Sequence, residues 1–211
     1  KYLEELSLRE IQIGELEILK QVHKICDELN IRYYLFYGTL LGAVRHKGFI
    51  PWDPDIDVAM PRKDYEIFKE KMLDNGNDKY YYSHYLTEKN HASPHALLRL
   101  KKTHVIINGK KSKHEDSDGI YLDIFPLDYP PENKRLQKKQ ENSIKRIRKI
   151  IYYKRCTIFD KNKHIKNALK WFISICLKPI SLRFLNKRLD KIEMKYSNIS
   201  SNYLVSMSSH Y

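Results

Sequence analysis

Two aspartates at alternate positions, Asp55 and Asp57, follow Trp52 and lead directly into Val58-Ala59-Met60. On a strand, residues i and i+2 point to the same side, so the two carboxylates share one face. Held that close they repel each other unless a cation lies between them, and hard oxygen donors of this kind favour Mg²⁺ or Mn²⁺ over zinc. Asp53, one alternation upstream, is placed to join as a ligand or as an acceptor behind the ligands. An isolated Asp-x-Asp is ordinarily a solvated acidic loop. Here the apolar flanks make the acids the polar positions of a short strand and aim them at a pocket.

The glycine turn at Gly38, the cations Arg45, His46 and Lys47 and these carboxylates together point to a metal-bound phosphate, and phosphoryl chemistry calls for a third carboxylate, either as a further ligand or as the base that takes an acceptor's proton. Asp123 is the candidate, because it is the acid inside the apolar run from Gly119 to Leu127. A buried, unpaired carboxylate costs several kcal/mol, so Asp123 calls for a metal or a cationic partner. A structural ion pair with Arg99, the guanidinium of the apolar stretch Ala96 to Leu100, is the other reading. Asp128 reads as a turn residue ahead of Pro130-Pro131. Arg45, His46 and Lys47 supply cations between the glycine turn and the acids, Arg45 with a planar fork suited to phosphate and Lys47 as a point charge.

The elements that must position these groups follow from periodicity. Ile31 to Tyr37 is β-branched and aromatic and stops at Gly38, which reads as a strand. Gly38-Thr39 followed by Leu40, Leu41, Ala43 and Val44 reads as a tight turn into a short helix, whose first N–H groups face an anion. Upstream, Leu16, Leu19, Val22, Cys26 and Leu29 have helical spacing before a break at Asn30, which predicts a helix covering the core.

This pattern resembles a known family. The strand, Gly38-Thr39 and the Asp55/Asp57 pair look like the nucleotidyltransferase-fold signature, and the run Gly38-Thr39-Leu40-Leu41-Gly42-Ala43-Val44-Arg45-His46-Lys47-Gly48-Phe49-Ile50-Pro51-Trp52-Asp53 is similar to the LicD-type phosphocholine transferases. Their eukaryotic relatives include the fukutin-type ribitol-phosphate transferases. The likeness runs from about Leu8 to Asp128 and fades beyond it. One departure is Pro54, which replaces the middle acid of the family's Trp-Asp-Asp-Asp-Ile-Asp run; strand alternation turns that position away from Asp55 and Asp57.

The resemblance implies transfer of phosphocholine, or a related phospho-alcohol, from CDP-choline or another CDP-alcohol to a hydroxyl of a glycan, teichoic-acid precursor or lipid-linked saccharide, releasing CMP. It implies Mg²⁺ or Mn²⁺ on Asp55, Asp57 and Asp123, and substrate contacts from Gly38, Thr39, Arg45, His46, Lys47, Trp52 and Arg99. Trp52 is the aromatic set beside the acids, where its face suits a quaternary ammonium; packing of the site is its other reading.

Composition adds a partner class. Lys+Arg number 39 against 26 Asp+Glu, for a formal charge of +13, and residues after Asn133 are the most basic. Such charge favours anionic partners. Glu132 to Tyr196 reads as helical, with Ile144, Ile147, Ile150 and Ile151 at helical spacing among lysines and arginines. The later apolar run Leu169 to Leu177 is shorter than the ~20 residues a membrane span needs. Such helices either rest on an anionic leaflet or cover the sheet with a solvated lysine face, and both can hold for different helices. Cys26, Cys156 and Cys176 neither pair evenly nor show metal-site spacing, which fits a reducing, cytosolic setting, and the basic helices add an expected peripheral place at the inner face of a membrane. Lys1 in place of an initiator Met, and an end without a stop-like polar tail, lead us to expect a piece of a longer chain.

We therefore expect an α/β (α+β) nucleotidyltransferase-like domain over 1–130, with a small mixed sheet flanked by helices, and a basic helical extension over 131–211 packed on it. Two other readings stay open: a nucleotidylyltransferase that moves the nucleotide half of the donor, and a non-enzymatic basic module for nucleic acid or membrane whose acids are structural. Specific nucleic-acid recognition is not expected.

Overall fold

The computed structural model describes residues 6–74, 78–91, 93–103, 119–155, 164–197 and 201–207. Lys1, Cys156, Ser208 to Tyr211 and the side chain of Leu169 lie outside that description. The chain divides into two compact units, one of Lys1–Thr87, Ser93–Leu127 and Ser206–Tyr211, the other of Glu88–Ala92 and Asp128–Val205.

In the first unit α1 spans Leu8–Glu28. Ser7 caps it, its Oγ accepting from Glu10 N–H while its own N–H donates to the Glu10 carboxylate, a reciprocal box that satisfies two end donors. The helix stops at Asn30, whose φ of 51° lies in the left-handed region. There the Ile31 N–H reaches back to Cys26 O and the Asn30 N–H to Asp27 O, closing a Schellman motif. Ile18, Val22, Ile25 and Cys26 bury one stripe of α1, whereas Leu16 is exposed and so leaves the core face expected of it.

Five strands follow: β1 Tyr34–Leu35, β2 Asp57–Pro61, β3 Tyr80–Ser83, β4 Ala96–Leu100 and β5 Tyr121–Leu127. Their order is β1-β2-β5-β4-β3. β2 and β5 run parallel while the other neighbours are antiparallel, so the sheet is mixed as expected. α2, Tyr37–His46, leaves β1, and α3, Arg62–Asp74, leaves β2. The first strand is shorter than its sequence suggests because Tyr37 already opens α2. β3 adds to the strands read from sequence.

Val58, Met60, Leu122 and Ile124 pack with Ile18 and Val22 of α1 and Tyr65, Phe68 and Met72 of α3 in one core cluster. Each such side chain contributes about 1.5–3 kcal/mol through removal from water. Alternation then turns Asp57 and Asp123 to the opposite face.

The second unit is helical: α4 Lys134–Arg155, α5 His164–Cys176 and α6 Leu182–Glu193, continued by a 3₁₀ turn Met194–Tyr196. Ile144, Ile147 and Ile151 of α4 and Leu182, Leu185 and Leu189 of α6 are buried. Gln140 donates to the carbonyls of Ile192 and Glu193, and Arg148 meets the buried Glu193 at 3.3 Å. Asp128 is a correction to the turn expected there. It is fully buried, exchanges both backbone hydrogen bonds with Val205 and accepts from Ser197 Oγ at 2.8 Å.

Candidate active site

The parallel pairing of β2 and β5 sets Asp57 in register with Asp123, so two acids far apart in sequence stand side by side. Asp55 lies just before β2 rather than inside it, yet one carboxylate oxygen from each of Asp55, Asp57 and Asp123 falls within 4.8 Å of the others. The backbone around them is pinned from three directions. Asp57 N–H donates to Thr39 Oγ1 at 2.8 Å, Phe36 N–H donates to Asp57 O at 2.9 Å, and Asp123 N–H donates to Ile56 O at 3.0 Å.

Burial raises the Asp57 carboxyl to about 7, with further upward pushes from Asp123, Asp55 and Asp53. A hydrogen bond with Asp55 is the main cause that raises Asp53 to about 6. No Lys or Arg among the described residues forms an ion pair with Asp55 or Asp57. Three hard oxygen donors, crowded together and with no lysine or arginine paired to Asp55 or Asp57 among the described residues, fit a divalent ion such as Mg²⁺ or Mn²⁺.

Sequence reasoning passed over three residues here. Glu15 of α1 is 3% exposed, one of its carboxylate oxygens has no hydrogen-bond partner, and burial followed by the field of Asp55, Asp123, Asp57 and Asp53 raises it to about 9. Gln12, one turn earlier, donates to Asp53 O at 3.0 Å and to Ile50 O at 3.5 Å, which ties α1 to the loop leading into the acids. Both occupy the buried stripe of α1, and polar residues at core-spaced positions were the available signal. The third is His95, one residue before β4, whose Nε2 lies 2.5 Å from Asp123 Oδ1.

The Asp123–Arg99 pair does not form. β4 and β5 align Leu97 with Asp123 and Arg99 with Tyr121, so the guanidinium lies over the Tyr121 ring at 5.0 Å and donates to Gly119 O at 3.2 Å.

At the other side of the acids α2 begins at Tyr37, which has a φ of 40°, and no side chain caps this end. A Cβ at Gly38 would sit 2.5 Å from Asp53 Oδ2, so any larger residue here has to displace that carboxylate. Thr39 spends its hydroxyl on the Asp57 N–H. Arg45 and His46 are exposed in the last turn of α2, about 10–12 Å along the helix from Gly38. Lys47 closes α2 in the left-handed region and lines a cavity of about 330 Å³ together with Asp53, Asp55, Gly38 and Thr39; Leu16, Leu19 and Phe49 are among its apolar walls. Trp52 is 75% exposed and sets its ring edge-on to His46 at 6.3 Å. Thus Gly38, Thr39 and Lys47 join Asp55 around one cavity, whereas Arg45, His46, Trp52 and Arg99 stand outside its walls.

The same segments are the ones that known proteins share. The family model described as LicD/FKTN/FKRP, nucleotidyltransferase domain, matches residues 30–183, which include α2 and all three clustered acids. The lipopolysaccharide cholinephosphotransferase LicD of Haemophilus influenzae is 46% identical over 78 residues, 37% of this chain and 29% of that protein. The human ribitol 5-phosphate transferase FKRP is 40% identical over 48 residues, 23% of this chain and 10% of that protein. The matched stretches thus span less than a third of either relative's length. Since the family match extends over well more than half of the sequence and contains the acid cluster, the chain belongs to the LicD/FKTN/FKRP nucleotidyltransferase-domain family.

Proposed function

We propose that this protein transfers a phospho-alcohol, with phosphocholine first and ribitol phosphate as the alternative, from a CDP-activated donor to a hydroxyl of a cell-surface glycan precursor. The observation that carries this reading is the register of Asp57 against Asp123, with Asp55 close enough to share a cation. Mg²⁺ or Mn²⁺ held there would neutralise the donor's diphosphate. Asp55 and Asp57 hold and orient that charge, and the uncapped start of α2 at Gly38 directs N–H groups toward a phosphate oxygen. Asp123, steadied by His95, either completes the ligand set or accepts the proton of the attacking hydroxyl, whose oxygen then displaces CMP. Lys47 stands at the cavity for the remaining phosphate charge. Arg45, His46, Trp52 and Arg99 are proposed as substrate contacts that closure around the donor would recruit.

The relatives, a lipopolysaccharide cholinephosphotransferase and a ribitol 5-phosphate transferase, support the substrate class. A lipid-linked acceptor would bring the protein to the inner face of a membrane, with its basic residues toward anionic lipid.

The test is CMP release from CDP-choline, CDP-ribitol and CDP-glycerol in the presence of Mg²⁺ and a glycan acceptor. Turnover should be lost in excess chelator, and Asp57→Asn, which removes a charge at nearly constant shape, should lower it at least about 100-fold without unfolding the protein. Pyrophosphate release, or equal rates for wild type and Asp57→Asn, would overturn the reading.

A further inference from the structure

The helical unit holds a surface that neither the acids nor the fold requires. Lys154 of α4 donates to the carbonyls of Leu177 and Lys178 at 2.9 and 3.1 Å, which anchors the C-terminal end of α5. With that end fixed, Lys170, Ile173, Ser174 and Leu177 are half-buried. The other side, Ala168, Trp171, Phe172, Ile175 and Cys176, is exposed, with Trp171 at 58% and Phe172 at 61%. These positions recur at intervals of three and four, so they form one stripe. The inward side thus takes Ile173 and Leu177 together with Lys170 and Ser174, while two aromatic rings and Ile175 stay in water, so this helix exposes an apolar stripe that a helix covering a core would bury.

The surroundings specify what would cover such a stripe. Residues 133–205 carry 20 of the 39 Lys+Arg and 4 of the 26 Asp+Glu, so the whole basic excess belongs to this stretch. A second copy of the same unit would bring two cationic surfaces together. A nucleic acid would use the lysines and leave the aromatic stripe in water. An anionic bilayer satisfies both features, taking the aromatic side chains into its interface and the lysines at its headgroups.

We propose that α5 docks on an anionic lipid surface through Trp171, Phe172 and Ile175. With 13 residues the helix is about 20 Å long, short of the hydrocarbon thickness, so it lies in the plane of the interface. The inference gives the membrane contact proposed above a defined surface and does not depend on the transfer chemistry. Loss of vesicle binding would leave the transferase reading standing, and absence of turnover would leave this one.

The experiment is co-sedimentation of the whole chain with phosphatidylcholine vesicles containing about 30% phosphatidylglycerol, against pure phosphatidylcholine. Wild type should partition onto the anionic vesicles only, and raising salt should weaken it. The double substitution Trp171→Ser with Phe172→Ser changes two exposed side chains; it should keep the wild-type circular dichroism and melting temperature while lowering partitioning at least about tenfold. Lipids brominated in their acyl chains should quench tryptophan emission in wild type and much less in Trp171→Phe, which leaves Trp52 as the background emitter. The proposal fails if wild type does not bind anionic vesicles, or if the double variant binds as wild type does. It also fails if sedimentation equilibrium shows a dimer that the double substitution dissolves while no vesicle binding occurs.

Discussion

At the residue scale the site is an arrangement of like charges. Asp55, Asp57 and Asp123 converge within 4.8 Å, Asp53 shares a hydrogen bond with Asp55, and Glu15 adds a buried carboxyl from α1. His95 is the neighbour most open to test. Its contact with Asp123 defines where that carboxylate points, in the way a partner behind a metal ligand fixes the ligand's orientation. His95→Ala should lower turnover by about 10- to 100-fold and weaken the dependence on Mg²⁺, while His95→Gln, which keeps an N–H donor, should restore part of the rate. Rates measured against Mg²⁺ concentration for both variants check this. A purely packing role would leave the Mg²⁺ dependence unchanged in both.

At the scale of elements, close backbone approaches hold α2 and its following loop beside the acids. A Cβ on Gly42 would lie 2.6 Å from Gly48 O and 3.0 Å from Ile50 N, both backbone atoms that cannot rotate away. Gly42→Ala should therefore force the Gly48–Ile50 segment outward and cost about 1–3 kcal/mol, read from denaturant unfolding. Because Phe49 and Ile50 also line the cavity, donor affinity should fall with it. Gly48→Ala meets nothing within 4 Å and serves as the control that changes composition without a clash. Gly119 illustrates the same demand at the entry to β5, where a Cβ would fall 1.9 Å from Leu100 O.

For the whole molecule, the raised carboxyls set the pH response of the metal-free protein. Asp57 moves from 3.8 up to about 7 and Glu15 from 4.5 up to about 9, so over that range the folded state binds more protons than the unfolded one. Stability must then fall as pH rises, because the penalty of ionising these groups is absent below the unfolded values and complete above the folded ones. The melting temperature of chelator-treated protein should drop between pH 5 and pH 9. Glu15→Gln should flatten the upper part of that drop. Saturating Mg²⁺ should stabilise more at pH 8 than at pH 5, since binding requires the ionised ligands. A metal-free melting temperature that rises across this range would contradict the crowding of the acids.

Much of this protein was already determined by local sequence. The period of two around Asp57 and Asp123 assigns faces because strand geometry is the same wherever a strand forms, and the period near 3.6 in α1 and α4 does the same for helices. The helix stop at Asn30 follows from those local rules, whereas the mixed sheet was expected from the family resemblance and its strand order is set by pairings between distant segments. Choices among partners did not follow from local rules either. Asp123 could have met Arg99 or another cation, and the alignment of β4 against β5 put Arg99 opposite Tyr121 and brought His95 to it. Glu15 could be read as a misplaced polar residue, and only the packing of α1 set its field among the aspartates. Asp128 stood before prolines like a turn residue, but the return of the chain at Val205 buried it. The apolar run of α5 could have faced inward or outward, and a hydrogen-bonded anchor from α4 accompanies the outward choice. Periodicity fixes which residues share a face, whereas what that face meets depends on register and on contacts between segments distant in sequence.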